Sequence, residues 1–191
     1  MIWLDTIVQG ILLGGLYALF AAGLSLVFGI MRLVNLAHGD LIVLAAFLIL
    51  TIVSALGLIL FVGALLAMPV MFGEGWLLQT YVLTRVLGDD ILPPLLVTFG
   101  LSVVIQNGLL LTFSADRQTL SSGQLQTMSL PLTEDFAIGV LPLLTLCVAI
   151  VLLIALTWFF RHTMLGRAFR ATSDDPHVVA LMGIDPRRTY G

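Results

Sequence analysis

Apolar positions along this chain come in long blocks instead of alternating with polar ones. Four blocks contain no Asp, Glu, Lys or Arg: residues 6–31, 41–73, 91–115 and 136–160. A helix needs about 20 apolar residues to cross the hydrocarbon of a bilayer, and each block is long enough. Block 41–73 is too long for one crossing, because a single helix of that length would extend about 50 Å against about 30 Å of hydrocarbon. Two crossings with a turn near residues 54–57 are therefore expected there. The remaining spans are expected over 7–31, from Pro93 and Pro94 (residues suited to a helix start) to about Phe113, and over 138–160. The fold class that follows is all-α, a polytopic transmembrane helical bundle with about five crossings.

Within the spans, Gly10, Gly14, Ala18 and Ala22 recur at i, i+4 spacing and share one face of the first helix. Small residues let helix backbones approach closely in lipid, so this face is expected to pack on a partner helix. Trp158, Phe159 and Phe160, next to Arg161, form an aromatic anchor at the membrane interface. The segment 114–135 is polar, rich in Ser, Thr and Gln, and is expected outside the cytoplasm.

Composition agrees with the pattern: 60% of residues are hydrophobic and 10% charged, whereas a soluble domain carries about 25% charged residues. The net charge of −3 matters less than its distribution. All the basic residues are arginine, and Arg161, Arg167, Arg170, Arg187 and Arg188 crowd the C-terminal end. The positive-inside rule places that end in the cytoplasm. Five crossings then put Arg32 and Arg85 inside, Arg117 outside and the N-terminus outside. The single cysteine, Cys147, lies within a span, so no internal disulfide is available. The N-terminus lacks the basic region of a cleavable signal peptide.

Three stretches carry candidate chemistry. In "SDDPHVVALMG", Asp175 suits an N-cap, Pro176 the first helical position and Gly183 the left-handed residue past the end, with Asp174 favourable at the positive end of the helix. The helix is only about two turns long, yet it presents Val178, Val179, Leu181 and Met182, so it needs a surface to pack on. That surface is a soluble partner, the protein's own spans or the membrane. In "NLAHGD", Asn35, His38 and Asp40 fit either a polar interhelical turn with a capping residue or a proton relay or ion site. In "TFGLSVVIQNG", Thr98, Ser102 and Gln106 share a helix face, with Asn107 beside them. They either bond neighbouring helices or line an aqueous path. No metal-ligand spacing, phosphate-cradling loop or paired carboxylate is present, and a His–Asp pair without a nucleophile makes no triad. The chain is expected to be no enzyme.

Four stretches, "GGLYALFAAGLSLVFGIMRLVNLAHGD", "QTYVLTRVL", "LLVTFGLSVVIQN" and "HTMLGRAFRATSDDPHVVALMGID", resemble, in order, the integral-membrane permease subunits of branched-chain amino acid ABC importers. The resemblance covers most of residues 8–185. It implies a single permease domain over 1–191, with a cytoplasmic coupling segment at 161–191 that docks on an ATP-binding subunit. The matching positions are Gly166, Arg167, Arg170, Ala171, Asp174, Asp175, Val179, Ala180, Leu181 and Gly183. It further implies a second permease subunit, two cytoplasmic ATPase subunits that bind ATP and Mg, a periplasmic binding protein, and a multi-pass place in the inner membrane. No cofactor is expected in this chain. Asn35, His38, Asp40, Thr98, Ser102, Gln106 and Asn107 become candidates for the translocation path. Family members have further spans after the coupling loop, so this chain is expected to be the front of a longer permease. They also commonly carry an acidic residue and a proline where Gln79 and Val86 stand. Two other readings stay open: a permease of the same family for urea or amides, and an ion-coupled secondary transporter or channel using His38 and Asp40.

Overall fold

The computed structural model describes residues 2–31, 33–86, 92–114, 118, 128–133, 136–164, 166–167 and 169. Helix α1 spans Ile2–Met31, α2 His38–Leu56 and α3 Leu60–Leu77. A π-helical turn at Leu78–Leu83 and the short α4, Thr84–Val86, continue the third rod. After these come α5 (Leu92–Phe113), a hairpin of β1 (Ser129–Thr133) and β2 (Phe136–Gly139), and α6 (Val140–His162). Five helices are long and apolar enough to cross a membrane: Trp3–Gly29, His38–Leu56, Leu60–Val86, Leu92–Phe113 and Val140–His162.

The block at 41–73 does divide in two. Gly57 ends α2 with φ +62°, a left-handed conformation that glycine adopts without steric cost. The N–H groups of Val62 and Gly63 then bond Ile59 O as α3 begins. Gly63 is buried where the Val53 side chain of α2 presses against its missing Cβ, so α2 and α3 pack as a tight pair. Pro69 sits within α3, where it removes one helical N–H donor.

The described residues fall into two compact units. One combines α1 up to Leu26 with the hairpin and α6. There Gly15 is the buried glycine of α1, and a Cβ on it would lie 2.8 Å from Leu146 Cδ1 and 3.0 Å from its Cα. The small-residue face expected to pack is a different one: no described residue lies within 4 Å of a Cβ built on Gly10 or Gly14. In the hairpin, Ser129 pairs with Gly139 and Leu130 with Ile138, antiparallel, with a bulge between Pro131 and Thr133. These two short strands are an addition to the expected all-α bundle, whose five spans stand. Their pattern was hidden because Pro131 interrupts a short polar-flanked run. The bond from Val140 N–H to Met128 O ties the hairpin to the start of α6.

The second unit contains α2, α3, the π-turn, α4 and α5. Its most buried residues are Ala37 and Thr98, with no exposure, Ala67 of α3 with 2% and Leu33 with 4%.

Candidate functional site

The segment 33–37 is irregular, with Leu33 and Ala37 buried and Val34 and Leu36 exposed. Asn35 Oδ1 accepts a hydrogen bond from Ala37 N–H at 3.0 Å, an Asx-type turn. The N–H of His38 bonds Asn35 O, and that of Leu41 bonds Ala37 O to open α2. Leu36 N–H donates to Thr98 Oγ1 at 3.3 Å, and the Thr98 hydroxyl donates to Pro94 O at 2.9 Å. Thr98 is about two turns into α5, so the segment sits about 9 Å from the helix start, at membrane depth. Irregular backbone at that depth persists only where protein buries it or a polar cavity lines it. Here the burial of Leu33, Ala37 and Thr98 supplies the shelter.

One turn further along α5, Ser102 Oγ donates to Asp40 Oδ2 at 2.5 Å, and Gln106 Nε2 donates to Asp40 Oδ1 at 3.0 Å. Gln106 Nε2 also reaches Ser102 Oγ at 3.2 Å. Asp40 stands in the first turn of α2, where a carboxylate suits the positive end of the helix. The shared face of Thr98, Ser102 and Gln106 thus meets the "NLAHGD" segment, and the two sequence-predicted groups form one polar seam. Exposure rises along it, from buried Thr98 and Ser102 to exposed Gln106.

Beyond the seam, Phe47 of α2 and Phe113 of α5 pack with ring centroids 4.5 Å apart. A groove of about 530 Å³ follows, lined by Thr51, Ser54, Thr112, Phe113 and Gln118 among others. Asn107 stays apart from the seam, because its Nδ2 bonds Val103 O of its own helix at 2.7 Å. His38 is half-buried in the first turn of α2. Chemically, the seam offers a carboxylate acceptor held by two neutral donors.

The π-turn was not legible in the sequence, since local hydrogen bonds, and not the apolar spacing, decide where one extra residue enters a turn. Thr84 fixes it: both its N–H and its hydroxyl, the latter at 2.6 Å, bond Gln79 O. The Gln79 side chain is buried, and among the described residues its Nε2 and the neighbouring Thr80 Oγ1 have no hydrogen-bond partner.

Of the coupling positions, Gly166 and Arg167 are described. Thr163, missed in the sequence, breaks α6 with an extended backbone and restarts the helix. Its Oγ1 donates to Phe159 O at 2.7 Å and accepts the Gly166 N–H at 3.0 Å, the geometry of an N-cap. The Thr-x-x-Gly spacing after an aromatic span end was the available signal. A Cβ at Gly166 would lie 2.5 Å from Phe160 Cα and 2.6 Å from Phe159 O, so this tight reversal requires glycine. Arg170, Ala171, Asp174, Asp175, Val179, Ala180, Leu181 and Gly183, with the capped helix expected there, lie outside the described residues.

The family model described as "Branched-chain amino acid transport system / permease component" matches residues 6–190. The chain is 28% identical to the high-affinity branched-chain amino acid transport system permease protein LivH of Salmonella typhimurium, over 97% of this chain and 64% of that protein. It is 27% identical to LivH of Escherichia coli K12, with the same coverage. It is also 27% identical to the permease protein BraD of Pseudomonas aeruginosa, over 96% of this chain and 63% of that protein. The chain therefore spans about 64% of the length of the curated relatives it matches. No solved structure matches it.

Proposed function

The chain belongs to the branched-chain amino acid transport system permease component family, and from that membership we propose that it serves as the membrane subunit of an ATP-driven importer. The solute is a branched-chain amino acid handed over by a periplasmic binding protein. A second permease subunit completes the path, and two cytoplasmic subunits hydrolyse ATP. The setting is the inner membrane. This chain carries no chemistry of its own. It contributes a passage and a lever.

The observation that supports a passage here is the polar seam at membrane depth. Spans held together by packing alone need no carboxylate, and one within a membrane is costly unless it is partnered and used. Asp40, with Ser102 and Gln106 on its two oxygens, presents an acceptor that suits the ammonium group of an amino acid. Asn35 and Thr98 hold the segment that carries it. The lever is the segment 161–191, docked on an ATPase subunit. Closure of the ATPase pair pushes it and rocks the spans, exposing the passage to each side in turn. The tight turn at Thr163 and Gly166, at the end of α6, supports this by fixing the start of that segment.

Co-purification of the paired ATPase subunits with the full chain tests the lever. Val179→Asp or Leu181→Asp is expected to abolish co-purification, by placing a charge on an apolar docking face. Capture unaffected by both substitutions would contradict docking at this helix.

A further inference from the structure

Gln79 and Thr80 take no part in the seam, and Thr80 departs from the habit of four other span threonines. Thr51, Thr112, Thr145 and Thr157 each donate to the carbonyl one turn back, the default for a hydroxyl on a helix. Among the described residues, the Thr80 hydroxyl and the Gln79 amide nitrogen are buried and have no hydrogen-bond partner. Buried polar groups in native proteins are nearly always partnered, and an unpartnered one is worse than an apolar side chain of the same shape. Two in adjacent residues, on a widened turn locked by Thr84, are not explained by packing. Single π-turns within α-helices are frequently found at functional sites.

Their depth is informative. Gln79 lies about two turns before the end of its rod at Val86, and Thr98 about two turns after the start of α5 at Leu92. Successive spans run in opposite directions, and both the π-turn and α4 pack on α5. Gln79 and Thr80 therefore share the level of Thr98 and of the sheltered segment 35–37.

We propose that the Gln79 amide and the Thr80 hydroxyl bind the carboxylate of the transported amino acid. Gln79 Nε2 can only donate, and the Thr80 hydroxyl is free to donate as well, so together they offer neutral donors to an anionic group. Asp40, an acceptor, takes the ammonium group from another span. The zwitterion is thus read by opposite chemistries on two sides of the passage. In the state described here the donors are closed off, and the contact forms in the alternate state of the cycle, when the turn faces the passage. This inference rests on the reading of the chain as an amino acid permease.

The test measures uptake of radiolabelled leucine by the assembled transporter in vesicles, alongside its thermal unfolding, for wild type, Gln79→Leu and Thr80→Val. The expected result is uptake reduced about tenfold or more in both variants, with an unfolding temperature equal to or above wild type, since each change removes a stranded polar atom. Wild-type uptake in both variants overturns the inference, as does loss of uptake that tracks a fall in unfolding temperature. Failure of the wild-type transporter itself to take up leucine removes the underlying amino acid reading instead, and is seen before any variant is compared.

Discussion

At the residue scale, one hydroxyl organises the candidate passage. Thr98 accepts from Leu36 N–H and donates to Pro94 O, so it fixes the segment before α2 and seals the first turns of α5. Hydrogen bonds between membrane helices average about 0.6 kcal/mol, but a buried N–H left without an acceptor costs about 1–3 kcal/mol. The second effect dominates here, because Thr98 is fully buried. Thr98→Val is expected to destabilise the protein by about 1–2 kcal/mol, while Thr98→Ser stays close to wild type. Thermal unfolding in detergent measures both, and equal behaviour of the two variants would contradict the role given to the hydroxyl. The shared face of Thr98, Ser102 and Gln106 was legible from i, i+4 spacing alone. Its partner was not, because no local pattern connects Ser102 to a carboxylate 62 positions away.

At the scale of elements, glycines separate contacts made within this chain from faces it leaves open. Gly63 faces Val53, and Gly15 faces Leu146. Gly63→Leu is expected to push α3 off α2 and cost about 1–3 kcal/mol, whereas Gly10→Leu leaves the chain's own fold intact, because no described residue lies within 4 Å. Unfolding of the purified chain distinguishes them, and a Gly10→Leu loss as large as that of Gly63→Leu would contradict the packing described. The α2–α3 hairpin could be read from length against bilayer thickness, and Gly57 falls at the edge of the expected turn. The stripe of small residues marked a face suited to close packing but could not say which helix meets it. The π-turn and the β-hairpin were hidden for a common reason: tertiary contacts and local bonds such as those of Thr84 decide them, not the hydrophobic period.

At the scale of the whole molecule, the candidate spans bury between 0% and 17% of their most apolar windows within the chain. Residues such as Trp3 and Leu111 are 84% and 88% exposed. Such surfaces are stable against lipid or against further membrane helices, and not in water. The proposed orientation, N-terminus out, is checked by cysteine labelling in a Cys147→Ser background. Gly57→Cys is expected to react with an impermeant reagent added outside, and Arg85→Cys only after the cytoplasmic face is opened. The reverse pattern would contradict that orientation.

The most direct measurement is leucine uptake into proteoliposomes containing the permease pair, with the ATPase subunits, the binding protein and ATP supplied or withheld one at a time. A permease driven through its coupling segment predicts uptake that requires ATP and both kinds of partner and persists when a protonophore collapses the proton gradient. Uptake that proceeds without the ATPase subunits and ceases with the gradient would contradict it, and would return His38 and Asp40 to the role of an ion pathway.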